Sequence, residues 1–201
     1  MSAFASVKTP IGTAGLKDLS LVDLPAVVEY WILSSDEYLS FMGVDRERLG
    51  SADEIHKRFS NAIRAGDTTQ PSIAFGITLD ERLVGYTMLN HCSDETNYSH
   101  WHIMDRALRA KGLSTALYPF RIKAYFDVLP ISRLVHQTRT RNRGVNRMLD
   151  KFVAVSETKF IEKPDGVASS GEFHLRSDVP TLFARATELG FIPNEARQPL
   201  G

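Results

Sequence analysis

Apolar residues recur at helical spacing in two stretches of the early part of the chain. The first predicted helix begins at Leu24, with Asp23 as its N-cap and Pro25 tolerated in its first turn. Its apolar face consists of Leu24, Val28, Trp31 and Ile32. A second helix is predicted to open with the capping box Ser51–Glu54 and to end at Gly66. Both patterns indicate amphipathic helices that pack one face on a core.

Runs rich in Ile, Phe, Val, Tyr and Leu predict three consecutive strands in the middle of the chain. The first two cover Ser72–Leu79 and Arg82–Asn90, and Asp80-Glu81 between them predicts a tight hairpin. The third strand covers Tyr98–Met104. A shorter strand is predicted earlier, over Thr13–Leu19.

The C-terminal half combines helical and strand patterns. The predicted elements are, in order, a helix over Gly112–Phe126, a strand over Leu134–Thr138, a helix over Arg143–Phe152, strands over Val155–Ile161 and Glu172–Ser177, and a helix from Pro180 to Leu189. Pro119 lies inside the first of these helices and predicts a kink, because it removes one backbone hydrogen bond. Pro164-Asp165-Gly166 predicts the turn between the last two strands.

This order of elements predicts an α+β fold with a mixed, mostly antiparallel central sheet flanked by helices. It differs from the strict alternation of strands and helices in a dinucleotide-binding fold. No repeat or linker divides the 201 residues, so we expect a single domain. Residues 1–12 are predicted to form a loose leader, and residues 190–201 a C-terminal tail.

Composition argues against several classes of protein. Lys plus Arg and Asp plus Glu each number 24, so no net charge draws the chain to nucleic acid or to an anionic membrane. Cys92 is the single cysteine, which excludes an internal disulfide and a multi-cysteine zinc site. No apolar stretch approaches the ~20 residues of a membrane span, and Met1–Pro10 lacks the pattern of a secretory signal. We therefore expect a cytoplasmic protein without a nucleic-acid or membrane partner.

The segment that carries chemistry lies where the third central strand passes through a loop into the helix near Gly112. The first amides of that helix have no intrahelical partner and point outward, with the positive end of the helix dipole behind them. Such a site favours phosphate oxygens, and Gly112 lets them approach the backbone closely. Arg109 and Lys111 add positive charge, while Ser114 and Thr115 offer hydroxyl donors.

The spacing Arg109-x-x-Gly112-x-Ser114 resembles the [Arg/Gln]-x-x-Gly-x-[Gly/Ala] signature of the GCN5-related N-acetyltransferase (GNAT) superfamily. The resemblance implies acetyl-CoA as a co-substrate, no metal, and a layout like that of the ribosomal-protein-alanine and small-molecule acetyltransferases. It also implies that the loop and helix bind the CoA pyrophosphate and that the preceding strand contacts the pantetheine arm. The implied cofactor-binding residues are Ile103, Met104, Arg109, Ala110, Lys111, Gly112, Leu113, Ser114 and Thr115.

A second landmark follows the Leu134–Thr138 strand. Asn142 opens a helix whose sequence is similar to the family's Asn-x-x-[Ser/Ala]-x-[Arg/Lys] segment, whose asparagine also touches the CoA arm. Val145 and Leu149 stand where relatives carry a serine or a tyrosine, whose hydroxyl protonates the departing thiolate. The missing hydroxyl keeps open an alternative, a CoA-binding or regulatory protein of this fold with little catalytic activity.

His100 and His102 lie on one face of the third central strand and are the candidate catalytic residues. A histidine there can accept a proton from the ammonium group of an acceptor. Two other interpretations stay open. Both histidines can be plain polar residues of a partly exposed face, or they can form a metal pair completed by His136, His174 or a carboxylate.

The implied mechanism is direct transfer, in which an amine attacks the thioester carbonyl and amides near Ile103 and Met104 stabilise the oxyanion. The expected acceptor is a primary amine of a small molecule or a peptide. A small molecule is favoured, because a neutral chain does not favour a strongly cationic acceptor. A homodimer is also compatible with the resemblance.

A cluster of mostly aromatic side chains surrounds the first predicted helix and the loop after it. Most of its members are predicted to lie in the core, although this region often shapes the acceptor site in the family that the chain resembles. The cluster consists of Tyr30, Trp31, Tyr38, Phe41 and Met42.

Overall fold

The computed structural model describes residues 3–64, 73–90, 97–139, 142–152, 159–162 and 168–194. The strands in these ranges are β1 (Ala5–Thr9), β2 (Gly12–Asp18), β3 (Ile73–Leu79), β4 (Arg82–Asn90), β5 (Tyr98–Ile103), β6 (Arg133–Arg139), β7 (Lys159–Glu162), β8 (Ala168–Leu175) and β9 (Pro193–Asn194). The α-helices are α1 (Leu24–Ile32), α2 (Asp36–Met42), α3 (Arg46–Leu49), α4 (Ala52–Arg64), α5 (Leu113–Val128), α6 (Arg143–Leu149) and α7 (Val179–Glu188).

All the described strands join one sheet, in the order β7-β8-β6-β5-β4-β3-β2-β1-β9. Neighbouring strands run antiparallel except β5 and β6, which run parallel. The predicted α+β fold with a mixed, mostly antiparallel sheet is therefore confirmed.

The parallel pair β5 and β6 meets at one end only. Their register consists of the single pair Tyr98 and Val135 along their described length. The buried side chain of Asn97 ties the strands together there: its Nδ2 donates to the carbonyl of Arg133 at 2.7 Å, and its Oδ1 accepts from the amide of Val135 at 3.0 Å. Beyond this clamp the two strands part and leave a gap in the sheet.

Two apolar cores cover the two faces of the sheet. On one face α5 and α7 pack against the strands, with Tyr118 and Tyr125 of α5 fully buried. On the other face α1 and α4 pack together around Trp31 and Phe59, next to Tyr86 of β4. Side chains of β5 alternate between these two cores, so each face of β5 has its own chemical surroundings.

Two predicted boundaries are wrong. Residues 5–9 of the predicted loose leader form β1, which pairs with β2 and with β9, and β9 lies in the predicted C-terminal tail.

The predicted side-chain cap of α1 is also wrong, because Asp23 does not cap this helix through its side chain. Its carboxylate instead accepts hydrogen bonds from Lys17 Nζ at 2.7 Å and from Ser20 Oγ at 2.7 Å, which fasten the end of β2 to the turn before α1.

Short helices α2 and α3 were not predicted, because each depends on local caps more than on apolar periodicity. Ser35 Oγ accepts from the amide of Tyr38 at the start of α2, and Asp45 Oδ1 accepts from the amide of Glu47 in α3. The helix α5 continues through Pro119 over sixteen residues.

Several predicted features behave as expected. The capping box of α4 forms, since Glu54 Oε2 accepts from the Ser51 amide at 2.7 Å and the Glu54 amide donates to Ser51 Oγ at 3.3 Å. Asp80 and Glu81 form the hairpin turn, with φ of 48° and 66°.

The predicted features Gly66, Cys92 and Pro164–Gly166 lie outside the described residues. Within the described ranges, no helix has the length and apolar character needed to cross a membrane.

Candidate active site

The N-terminus of α5 is open and points its first amides outward. Gly112 is the N-cap, with φ of +88°, and the first intrahelical bond runs from the Ala116 amide to the Gly112 carbonyl at 2.9 Å. The amides of residues 113–115 therefore have no carbonyl partner within the helix. A Cβ added at Gly112 would meet no atom within 4 Å, so a ligand can reach this backbone. The predicted phosphate site is thus sterically accessible.

The loop before α5 holds a strained conformation. Ala110 has φ of +60°, which a non-glycine residue rarely adopts. Lys111 stands exposed between Ala110 and Gly112. Beside it lies a cleft of about 430 Å³, lined by Lys8, Thr9, Pro10, Lys111, Gly112, Leu189, Gly190 and Phe191. The segment that was predicted to be a loose leader therefore adds a second cation, Lys8, next to the helix N-terminus.

Arg109 ties the loop back to the protein. Its Nε donates to the carbonyl of Ile103 at 3.0 Å, and its Cζ lies 4.3 Å from the ring centroid of Tyr38 in α2. This cation–π contact holds the guanidinium on the α2 side of the loop. Arg109 is thus placed to orient the end of β5 as well as to contribute charge to the site.

The backbone of β5 presents alternate residues to the gap between β5 and β6. The Met104 amide donates to the carbonyl of Val84 at 2.9 Å, so it faces β4. Because antiparallel pairs alternate, the N–H and C=O groups of Ile103 and Trp101 face the opposite way, toward the gap. Of the predicted oxyanion donors near Ile103 and Met104, the Met104 amide is therefore excluded, whereas the amides of Ile103 and Trp101 are candidate donors.

Asn142 caps the helix that follows β6. Its Oδ1 accepts from the amide of Val145 at 3.3 Å. Val145 packs against the α5-side core, and Leu149 is almost completely buried. Both positions that carry a hydroxyl in many GNAT enzymes are thus apolar packing positions in this chain.

The chain resembles several solved acetyltransferase structures in its backbone. RimJ of Mycobacterium smegmatis, in complex with a CoA disulfide, matches with a TM-score of 0.72 at 15% identity over 94% of this chain and 98% of its own. Spermidine N-acetyltransferase of Vibrio cholerae, in complex with CoA and spermine, matches with a TM-score of 0.67 at 16% identity over 83% and 98%. The aminoglycoside acetyltransferase AAC(6')-Ib, in complex with paromomycin and acetyl-CoA, matches with a TM-score of 0.61 at 14% identity over 83% and 96%.

This chain has the GNAT fold. Its sequence matches no protein-family model and no curated protein. At these identities the likeness establishes the fold alone, because one fold can host many different activities.

His102 is enclosed by aromatic rings on the α1 side of β5. Its ring stacks on Tyr86 at 4.9 Å between centroids and lies edge-on to Trp31 at 5.0 Å. Its Nδ1 is 3.2 Å from the hydroxyl of Tyr30. Burial, with a smaller effect of the neighbouring His100, lowers the pKa of His102 to about 3, so this imidazole stays neutral at physiological pH.

His100 faces the same side but is exposed to solvent. Its ring lies parallel to that of His102, with centroids 6.5 Å apart. The surrounding protein, and then the charge of Arg121, lower the pKa of His100 below its ordinary value, while solvent access moderates this effect. Of the two predicted catalytic histidines, His100 is the one that a second substrate can reach.

Aromatic side chains of α1 and α2 connect His102 to the phosphate loop. Tyr30 and Tyr38 place their hydroxyl oxygens 3.2 Å apart, and the ring of Tyr38 carries the guanidinium of Arg109. Tyr30 and Tyr38 are only partly buried, and Phe41 is 42% exposed. The expectation of a core position is therefore wrong for Phe41, whereas Trp31 is buried and donates to Tyr86 at 3.0 Å.

The other predicted histidines lie on the α5 side of the sheet. His174 Nε2 is 2.7 Å from the hydroxyl of Tyr118, and the His136 ring lies 5.6 Å from that of Tyr118. The alternative interpretation, a metal pair formed by His100 and His102, needs a third ligand. These two histidines face the other core, so neither His136 nor His174 can supply it. Among the described residues, no three His, Cys, Asp or Glu side chains are grouped to hold a metal.

Proposed function

We propose that the protein is an acyl-CoA-dependent N-acyltransferase, which transfers an acetyl or other short acyl group to a primary amine of a small molecule or peptide. The observation that carries the proposal is the position of the open N-terminus of α5 at the end of a strand whose backbone faces a gap in the sheet. Similar structures that contain CoA with spermine, or acetyl-CoA with paromomycin, support this interpretation.

The pyrophosphate of CoA would lie at the N-terminus of α5. The amides of Leu113, Ser114 and Thr115 would donate to its oxygens, and the positive end of the helix dipole would stabilise its charge. Lys111 is exposed beside this position and would add a further cation. The pantetheine arm would then follow the gap-facing backbone of Ile103 and Trp101, opposite Asn142 at the start of α6.

The amine would enter from the α1 side of β5, where His100 is exposed. His100 is neutral above its lowered pKa, so it can accept a proton from the ammonium group. The freed amine attacks the thioester carbonyl, the C–N bond forms, and the C–S bond breaks to release the CoA thiolate. The second proton of the attacking nitrogen passes through water to this thiolate. The gap-facing N–H of Trp101 would stabilise the oxyanion of the tetrahedral intermediate.

Binding of acetyl-CoA tests the phosphate site without any knowledge of the acceptor. At about a hundred times its dissociation constant, acetyl-CoA should stabilise the folded protein by about 2.7 kcal/mol and raise its Tm. Gly112→Ala should remove most of that gain, because alanine resists the backbone conformation that φ of +88° requires.

A matched control is Gly50→Ala. Gly50 also has positive φ, of +86°, but it lies between α3 and α4. Both variants should lower the Tm of the free protein, and only Gly112→Ala should lose the gain from acetyl-CoA. Equal gains in both variants would show that the N-terminus of α5 is not the phosphate site.

Turnover distinguishes the enzyme from a CoA-binding protein of the same fold. Release of free CoA thiol should be measured with acetyl-CoA against a panel of amines that includes polyamines, aminoglycosides, amino acids and peptides with a free N-terminus. Amine-dependent release above the rate of hydrolysis supports the proposal. Tight acetyl-CoA binding without release for any amine would favour the catalytically weak alternative.

A further inference from the structure

A fully buried arginine lies on the α5 side of the β5–β6 gap. Arg121 is 2% exposed, and its Nε and Nη2 atoms have no hydrogen-bond partner. Among the described side chains, no carboxylate contributes to the electrostatic surroundings of this guanidinium. A buried cation without a counter-ion carries a large desolvation cost, so its retention points to a ligand that completes the site.

Aromatic residues contact the guanidinium but satisfy its hydrogen-bond donors only in part. The Cζ atom lies 4.9 Å from the ring centroid of Trp101 and 5.0 Å from that of Tyr118. These cation–π contacts offset part of the desolvation cost. The hydroxyl of Tyr118 also hydrogen-bonds with the guanidinium. The N–H groups of Nε and Nη2 still lack partners.

Two further buried nitrogen atoms near Arg121 have no partner. These are Nε1 of Trp101 on β5 and Nε2 of His136 on β6, one from each strand beside the gap. The ring of His136 lies 5.6 Å from that of Tyr118, which in turn contacts Arg121. Burial, followed by the Arg121 charge, lowers the pKa of His136, so Arg121 is the cation of this group. Guanidinium and indole N–H donors in one place suit a carboxylate, which accepts several hydrogen bonds at once.

We propose that Arg121, Trp101 and His136 bind the terminal carboxylate of a dicarboxylic acyl group, so that the preferred donor is a short acyl-CoA that ends in a carboxylate. Succinyl-CoA and glutaryl-CoA are donors of this class. The inference rests on the proposed function, because the acyl group has to enter the gap between β5 and β6. The carboxylate takes no part in the transfer: the thioester C–S bond breaks, the amide C–N bond forms, and the product keeps the free carboxylate.

Calorimetric titration of the unmodified protein tests the proposal and needs no acceptor. Butyryl-CoA is the matched control for succinyl-CoA, because its acyl chain has the same number of carbons and ends in a methyl group. Succinyl-CoA or glutaryl-CoA should bind at least about tenfold more tightly than butyryl-CoA. Equal affinities would overturn this inference and leave the proposed function intact. No binding of any of these thioesters or of free CoA would overturn the proposed function, and the inference with it.

Substitutions test which residue gives the preference for succinyl-CoA over butyryl-CoA. Arg121→Met should reduce the affinity ratio of succinyl-CoA to butyryl-CoA to about one, because it removes the charge that binds the carboxylate. Lys123→Met removes a half-exposed cation of the same helix that pairs with Asp127, and it should leave the ratio as it is. A ratio that falls equally in both variants would show a general effect of charge and would overturn the assignment to Arg121.

The free protein provides a second test of the same site. Arg121→Met should keep or raise the Tm without ligand, because it removes a buried charge that has no carboxylate partner among the described side chains. Glu172, which pairs with His136 in the strand register, is the control. Glu172→Gln should leave the Tm of the free protein within a few degrees of the parent. A large fall of Tm in both variants would identify Glu172 as the counter-ion of Arg121 and overturn the proposal.

Discussion

Polar side chains on the two sides of β5 differ in whether their hydrogen-bonding groups have partners. On the α1 side, His102 is neutral, enclosed by aromatic rings and in contact with the hydroxyl of Tyr30. On the α5 side, Arg121 is buried, charged and without a partner at two of its nitrogen atoms. The first arrangement is complete in the free protein. The hydrogen bonds of Arg121 are not complete, and this difference indicates that a ligand completes the α5 side. On the α1 side, the aromatic rings around His102 form a preformed wall, which is in place before any ligand binds.

The same comparison separates the two histidines that the sequence offers as candidates. His102 is part of the preformed wall, and its lowered pKa of about 3 makes it a weak base. His100 lies on the same face but is open to solvent, so it can meet an amine. Spacing alone could not separate the two, because both have the same position in the alternation of the strand.

The largest expected effect concerns the proton acceptor. His100→Ala should lower turnover about a hundredfold, because general-base assistance is lost. In the parent, turnover should fall on the acid side of the lowered pKa of His100, since protonation removes the base, and this limb should flatten in the variant. The measurement is the pH profile of kcat with the best amine of the panel.

The control for that experiment is His102→Phe, which keeps a ring within the aromatic wall. It should retain most of the turnover and the acid limb of the profile. Loss of the limb in His102→Phe with retention in His100→Ala would exchange the two roles and contradict the assignment.

A smaller effect concerns the dependence of stability on pH. His102 and His174 have pKa values lowered to about 3 and about 4 by burial, whereas both take up protons near the ordinary histidine pKa of about 6.5 when unfolded. The unfolded state therefore binds more protons as pH falls below about 6.5, and the free energy of unfolding should decrease down to about pH 4.

His102→Phe should reduce this slope by up to about 1.4 kcal/mol per pH unit, which is the contribution of one proton. Urea unfolding at several pH values between 7.5 and 4.5 would measure it. A slope equal to that of the parent would mean that His102 is already protonated, or freely solvated, in the folded protein.

The smallest expected effect is the change in the free energy of unfolding when a hydroxyl group is removed on either side of β5. The hydroxyl of Tyr125 is buried, 2.6 Å from that of Thr87, which in turn donates to the carbonyl of His100 at 2.8 Å. Tyr125→Phe should cost about 1 kcal/mol of the free energy of unfolding, because it removes a buried hydrogen bond. Tyr30→Phe removes a partly solvated hydroxyl and should cost less. The reverse order in urea unfolding would contradict the description of the two faces.

Local features of the site were predictable from the sequence, and non-local ones were not. The strand, loop and helix around Gly112 follow from turn and capping chemistry within a short segment. The strand β1 was missed because its main evidence is pairing with β2 and β9, and β9 lies at the other end of the chain. Arg121 reads as an ordinary helix residue in the sequence, since only the packing of α5 on the sheet buries it.

Arg109 illustrates the same limit within the motif itself. Its charge next to Gly112 predicts a contact with phosphate; in addition, its Nε donates to the carbonyl of Ile103 and its guanidinium stacks on Tyr38. That stacking depends on α2, which is held by caps and was not predicted. The residue type was informative, but its partner came from a distant segment.

A crystal structure with bound CoA would test the central claim most directly. The pyrophosphate oxygens should lie within about 3.2 Å of the amides of residues 113–115. The sulfur should lie in the gap between Trp101 and β6, on the path from α5 to His100. CoA bound with its pyrophosphate elsewhere, or a gap filled by protein side chains in the complex, would contradict it.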